Sequence, residues 1–302
     1  MNYPLKIIID FDGTLTAEEQ QVTELAEMSL AALAQDIIGA PLHQLAADYQ
    51  ATRSRLLQAP HRYCWEVNGL VASYSDEGAF ILNTTTLQVM LRESQEYARA
   101  VAAAFPRAEY DPVVDCTNHL FHYHTAEISP IFRPAAREVL LALVEDPQRR
   151  PVILTNSLDE KVHRHLGALE LGELEGLVTV LGDTRQYDMD PEWTHTFPHP
   201  ERCWERVQVW PVDDLHSIDL RRPVYYRALG KAACDGSGLA VVADTLSLPG
   251  ALPLLMGIPF FLLRTGYTPQ WCADAVRDHP LGYVLDDLAG LPAALDELYQ
   301  AE

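Results

Sequence analysis

Five short apolar runs punctuate the chain, and most end on a residue that can do chemistry. Leu5-Lys6-Ile7-Ile8-Ile9 runs into Asp10, and Pro151-Val152-Ile153-Leu154 into Thr155-Asn156-Ser157. Leu177 to Leu181 meets Gly182-Asp183, Leu239 to Ala243 meets Asp244, and Pro259 to Leu263 meets Arg264-Thr265-Gly266. Unbroken apolar runs without polar alternation predict strands buried on both faces, as in parallel sheets.

Helical periodicity fills most of the gaps. Ala135, Val139, Leu140 and Leu143 recur at the helical period after Pro134, a residue suited to a first turn. Ser157-Leu158-Asp159-Glu160 reads as a capping box, and helices are predicted over Tyr225 to Cys234 and Pro249 to Met256. Alternating strand and helix predicts an α/β fold, a Rossmann-like parallel sheet core with right-handed crossovers. Two segments break the alternation. Residues 17–125 carry long amphipathic patterns (Val22, Leu25, Met28, Ala32 and Leu33 on one face) and few strand signals, which predicts an inserted helical cap domain. The core is then 1–16 and 126–302, with a smaller irregular insertion at about 184–221, rich in Trp, Pro and His and holding one strand near Arg206 to Trp210.

Composition narrows the partners. With 302 residues and a net charge of −21, the chain repels polyanions, so neither nucleic acid nor an anionic membrane is an expected partner. The longest apolar run, Leu252 to Leu263, is too short to span a bilayer, and no signal peptide is evident at the N-terminus. The five cysteines (Cys64, Cys116, Cys203, Cys234 and Cys272) are scattered and suggest no disulfide framework or thiolate metal site. A reducing, cytoplasmic setting is expected; oligomeric state is not legible.

In an open parallel sheet, ligands bind beyond the carboxyl ends of the strands. Those ends offer Asp10, Thr155, Asp183 and Asp244. Carboxylates gathered there would repel one another unless a cation neutralised them, and an oxygen-only donor set suits Mg2+.

Asp10-Phe11-Asp12-Gly13-Thr14-Leu15-Thr16 matches the DxDGTLT signature of phosphatases of the haloacid dehalogenase superfamily. A strand ending in Thr155-Asn156 and a strand ending in Asp244 follow in the family's order, so the chain resembles that superfamily over its whole core, and the helical insert resembles its first type of cap. The resemblance implies a Mg2+-dependent phosphatase hydrolysing a small phosphorylated metabolite. Asp10 would be the nucleophile, forming an aspartyl-phosphate, and Asp12 the acid and base. Asp10, Asp244 and Asp12 (through its carbonyl) would hold Mg2+. Gly13 would let the chain turn out of the strand, while Thr155, Asn156 and nearby backbone N–H groups would bind phosphate. The sequence departs from the family at two points. The lysine expected before the helix leading to Asp244 is replaced by Arg222, with Lys231 a later alternative. Leu248 and Pro249 stand where a second acid often follows, so Asp183 is a candidate to help hold the metal.

Other features invite weaker readings. His119, His122 and His124 invite reading as a metal cluster, of which His122 and His124 would share a face if they lay on a strand, and Arg53, Arg55, His61 and Arg62 form the one basic cluster of the insert. The tryptophans of the second insertion read as packing. Asp12 argues against dehalogenase chemistry, which lacks this acid in the family. A phosphomutase acting on a phosphosugar, or a weakly catalytic binding or scaffold protein, are the alternatives.

Overall fold

The computed structural model describes residues 4–202 and 204–300. The chain forms two compact units, one made of Met1–Ala17 with Pro130–Glu302, the other of Glu18–Ser129. From β1 (Leu5–Ile9) it passes into the second unit: helices α1 (Val22–Ala32) and α2 (Leu42–Gln58), a hairpin of β2 (Cys64–Val67) and β3 (Leu70–Tyr74), then α3 (Ala79–Glu93), α4 (Gln95–Ala104) and α5 (Pro112–Glu127). It returns through α6 (Ala136–Glu145), β4 (Arg149–Leu154), α7 (Asp159–Leu166) and β5 (Thr179–Leu181). Two small antiparallel pairs follow, β6 (Phe197–Pro198) with β7 (Arg206–Val207), and β8 (Val209–Pro211) with β9 (Ser217–Asp219). The chain ends with α8 (Pro223–Ala232), β10 (Gly238–Ala243), α9 (Ala251–Leu255), β11 (Phe260–Leu263), α10 (Gln270–Asp278), β12 (Gly282–Leu285) and α11 (Leu291–Gln300).

The first unit is an α/β Rossmann-like core around a six-stranded parallel sheet in the order β12-β11-β10-β1-β4-β5. Side chains alternate across it with the two-residue strand period. Ile8 packs with Val152, Leu154, Val241 and Phe260 on one face, while Ile7 and Ile9 pack with Ile153, Val242 and Phe261 on the other. Both faces are covered, so β1 reads as an unbroken apolar run. Ile9 pairs with Val242 on one side and Ile153 on the other, which brings the residues just beyond β1, β4 and β10 to one rim. The strand order also reverses at β1, the place where open α/β sheets hold ligands. The third apolar run forms only a three-residue strand at the sheet edge, so Leu181 is exposed rather than buried on both sides.

The second unit is mostly helical, and Leu33, Leu45, Leu87, Leu91 and Leu120 share its core. Glu18 is buried and caps α3, accepting the Ala79 (2.5 Å) and Phe80 (3.2 Å) N–H groups. The hairpin corrects the expectation of an insert poor in strands. Its turn is Asn68-Gly69, both with positive φ, and this dipeptide is the strongest short hairpin signal in the region. The His119–His124 stretch lies on α5, where residues two apart do not share a face, so a strand-borne histidine cluster is not formed. Arg55 is turned to Glu93 in a bidentate pair at 2.5 and 3.1 Å.

In the second insertion the strand expected near Arg206 to Trp210 is divided between β7 and β8. Trp210 is buried and Trp193 packs on the same core, whereas Trp204 is exposed. Cys64, Cys116, Cys234 and Cys272 are free thiols, and Cys203 lies outside the described residues. No helix among the described residues is long and apolar enough to cross a membrane.

Candidate active site at the carboxyl rim

The site begins where β1 stops. The Asp10 N–H continues the ladder by donating to Val242 O at 3.0 Å; the chain then turns, with Phe11 O accepting from Leu15 N (3.0 Å) and Thr16 N (3.2 Å). Gly13 makes the turn at φ +81°, a conformation that strains any residue with a Cβ. Arg133 fastens the turn by donating to Gly13 O from Nε (2.9 Å) and Nη2 (2.5 Å).

Thr14 ties this turn to the end of β10. Its hydroxyl donates to Asp244 Oδ1 at 3.2 Å and accepts the Asp244 N–H at 3.1 Å. Asp244 is buried, and a Cβ at Gly13 would stand 2.6 Å from its Cγ. Gly13 therefore has two physical reasons to be glycine. Gly13→Ala is expected to displace Asp244 and add about 1–2 kcal/mol of left-handed backbone strain. A lowered melting temperature and denaturant midpoint check it; wild-type values for both would refute it.

Asp12 faces β4 and α7. It accepts the Ser157 hydroxyl at 2.5 Å and the Lys161 ammonium at 2.9 and 3.0 Å, while Lys161 also donates to Ser157 Oγ at 2.7 Å. The Lys161 side chain is 4% exposed and that of Asp12 16%, so the pair is shielded far more than a surface salt bridge. Lys161 Nζ lies 5.9 Å from the centre of the Phe11 ring. His165, one turn further along α7, is pushed down to about 4 by burial first and by the Lys161 charge second. It is neutral at physiological pH, which leaves Lys161 as the cation beside Asp12.

This arrangement corrects two sequence expectations. Ser157 does not cap α7, whose N-cap position is Leu158; its hydroxyl is turned to Asp12 instead. The cation against Asp12 is also a different residue, Lys161. Arg222 is buried with its guanidinium donating to Gln186 O (3.1 Å) and Asp219 O (3.3 Å), and Lys231 sits in the last turn of α8; neither is bonded to Asp12, which Lys161 of α7 meets. The signal was in the sequence: Ser157 and Lys161 are four residues apart, on one face of a helix that starts at the rim.

Thr155 is buried, and its Oγ1 accepts the Ser157 N–H at 3.2 Å. Asn156 Oδ1 accepts the Gln186 N–H at 2.7 Å, which leaves the amide nitrogen without a partner among the described residues. Asp183 pairs with Arg185 at 3.5 Å and is half exposed, so no contact brings it to Asp244.

Asp10 keeps some accessible surface, yet protein encloses its carboxyl closely enough to govern its solvation. Its pKa stands well above the ordinary carboxylate value, because of burial first, then the charges of Asp244 and Asp12; a bond from the Phe11 N–H and the charge of Lys161 act in the opposite direction. Two carboxylates that repel one another in an all-oxygen setting are what a divalent cation would relieve. Among the described residues no group of three or more His, Cys, Asp or Glu side chains is placed to hold a metal. The Asp12 carboxylate, engaged by Lys161 and Ser157, is therefore not the third arm of such a group. Asp10, Asp244 and the Asp12 carbonyl oxygen fit the smaller set a hydrated Mg2+ uses, which keeps several waters.

No family model matches the chain, and no curated protein matches it significantly. Among solved structures it is similar to a haloacid dehalogenase-like family hydrolase from Streptococcus pneumoniae (13% identity, 97% of this chain and 99% of that one, TM-score 0.48). It is also similar to a predicted phosphoglycolate phosphatase from Haemophilus somnus (17% identity, 98% and 99%, TM-score 0.45). A third is CbbY from Rhodobacter sphaeroides, solved with xylulose-1,5-bisphosphate (15% identity, 95% and 98%, TM-score 0.43). Likeness at this level does not reach the chemistry, which rests on the rim residues themselves.

Proposed function

We propose that the chain is a Mg2+-dependent phosphohydrolase that removes phosphate from a small phosphorylated metabolite through an aspartyl-phosphate at Asp10. The observation that carries this is the pairing at the rim: an acidic side chain, Asp12, is held by a lysine and a serine two residues from a second carboxylate, Asp10, that faces Asp244. One carboxylate can attack while the other, held separately, moves protons.

Asp10 Oδ attacks phosphorus and the bond to the leaving oxygen breaks. Asp12, entering the step in its protonated form, gives that oxygen its proton, then takes one back from the water that attacks the phosphorus of the aspartyl-phosphate, restoring Asp10. Lys161 holds Asp12 in place and faces the charge of the transferring group. Thr155 accepts from the Ser157 N–H and donates to nothing among the described residues, so its proton is available to a phosphoryl oxygen, as is the Asn156 amide. A Mg2+ held by Asp10, Asp244 and the Asp12 carbonyl would offset the repulsion between nucleophile and phosphate. The helical unit is the proposed cap and chooses the substrate; the net charge of −21 favours a small anion over a polyanion. A scaffold without activity has less support, because Asp10, Asp12, Thr155 and Asp244 are all present and Lys161 supplies the charge that Arg222 does not bring to Asp12.

Phosphate release from para-nitrophenyl phosphate with Mg2+ tests this. Asp12→Asn is expected to slow release by about 10²–10⁴-fold, the usual worth of general acid–base catalysis, while a Mg2+-dependent rise in melting temperature persists. An unchanged rate in Asp12→Asn would remove the acid–base role. No release by the wild type across several divalent metals would end the proposal.

A further inference from the structure

On the sheet face covered by α8, α9 and the second insertion lies a cavity of about 430 Å³, within the range of small-molecule sites. Part of its wall, Leu254, Leu255, Met256 and Gly257 with His279 and Leu281, leads into β11 and β12. That wall is at the amino ends of the strands, whereas Asp10 and Asp244 follow the carboxyl ends of β1 and β10. The cavity is thus distinct from the proposed catalytic rim, and the phosphatase reading makes no use of it.

Its lining is one-sided in charge. The chain has 43 acidic and 22 basic residues, yet no Asp or Glu is among the described residues that line the cavity. Arg206 is there, donating to Thr196 O and to Thr196 Oγ1 (3.3 Å), and has no carboxylate partner among the described residues. Arg202, four residues earlier, spends its charge on Glu205 at 3.1 Å. Arg206 is exposed, and a guanidinium without a carboxylate partner beside a cavity in so acidic a chain is open to an anion.

His279 supplies a donor, whereas His199 Nδ1 in the same wall accepts the Glu201 and Arg202 N–H groups at 3.2 Å. His279 is buried, and its Nδ1 accepts the Leu281 N–H at 3.2 Å, which assigns the proton of the neutral ring to Nε2. That N–H has no oxygen or nitrogen acceptor among the described residues. Burial holds the His279 pKa below its usual value, so the ring acts as a donor and not as a cation. His195 stacks on Trp193 (5.2 Å between centroids) and meets Tyr226 at 4.8 Å, with no hydrogen-bond partner for its ring nitrogens among the described residues. Leu255, Met256 and Leu281 give an apolar floor to the same cavity.

We infer that this cavity is a second, non-catalytic site for a small organic anion, with its charged head at Arg206 and the His279 N–H and its apolar body on the floor. A carboxylate, sulfonate or phosphate ester would satisfy the same donors; an apolar or aromatic body distinguishes the ligand from inorganic phosphate.

Titration of the full chain with the fluorescent anion 8-anilinonaphthalene-1-sulfonate tests this. Saturable binding at one site per chain is expected, weakening as salt rises and unchanged in Asp10→Asn, so that the test stands or falls apart from the phosphatase reading. Arg206→Ala is expected to weaken binding by about tenfold or more, with Arg206→Lys in between. Met256→Glu, which sets a negative charge on the floor, is expected to weaken it comparably, and 1-naphthalenesulfonate to displace the probe where neutral 1-naphthalenemethanol does not. If Arg206→Ala loses its near-ultraviolet circular dichroism, Met256→Glu decides alone. Unsaturable binding, or wild-type affinity in a folded Arg206→Ala or Met256→Glu variant, overturns the inference.

Discussion

Asp10→Asn is expected to release no measurable phosphate, a loss of about 10⁴-fold or more, and yet to melt at or above the wild-type temperature. The two halves have one cause. Asp10 is enclosed and faces the charges of Asp244 and Asp12, so its carboxyl is protonated more readily in the folded chain than in the unfolded one. A carboxyl whose folded pKa is raised binds more protons in the native state, so its ionisation subtracts from stability as pH rises above the unfolded pKa. Asparagine removes that charge along with the nucleophile. Mg2+ should then raise the melting temperature of the wild type more than that of the variant, since the variant has lost one ligand. Turnover near wild type, or a clear fall in melting temperature without metal, would contradict the assignment.

Lys161→Ala is expected to cost about 10²–10³-fold in turnover, the scale of one preorganised donor in a shielded site, because Asp12 loses its buried cation and Ser157 a hydrogen-bond donor. Lys161→Arg should recover little, since the flat guanidinium fork cannot occupy the point where one ammonium meets both Asp12 oxygens and Ser157. Arg222→Met is the contrasting variant. It leaves Gln186 O and Asp219 O without their donor and should lower stability by about 2–3 kcal/mol, with turnover within tenfold of wild type where the chain remains folded. Steady-state rates and denaturant midpoints of the three variants decide the matter. An active Lys161→Ala beside a folded but inactive Arg222→Met would return the role to Arg222.

The parts of the molecule that were legible from sequence are those where one local pattern has one physical outcome. Ile7-Ile8-Ile9 and Val241-Val242-Ala243 have to be buried on two faces, so a parallel sheet follows, and the rim follows from the sheet. Gly13 was legible as a turn, but its second reason, the approach of Asp244, depends on a residue 231 positions away that only the fold brings near. Lys161 was hidden for a related reason. Its partner Asp12 is 149 residues distant, and Ser157, which looks like a helix cap, competes as an explanation for the same stretch. Arg222 stands where the resemblance expects a charge, while its burial against two carbonyls is a property of the 184–221 loop that periodicity does not predict. The hairpin at Asn68-Gly69 is short beside the long helical patterns on either side, which dominate the periodicity of the insert.

Crystals grown with Mg2+ and beryllium fluoride, a mimic of an aspartyl-phosphate, test the central claim most directly. The account predicts beryllofluoride on an Asp10 oxygen, Mg2+ at about 2.0–2.1 Å from Asp10, Asp244 and the Asp12 carbonyl oxygen, and the Thr155 hydroxyl on a fluorine. Beryllofluoride bound away from Asp10, or Mg2+ held by other residues, would contradict it.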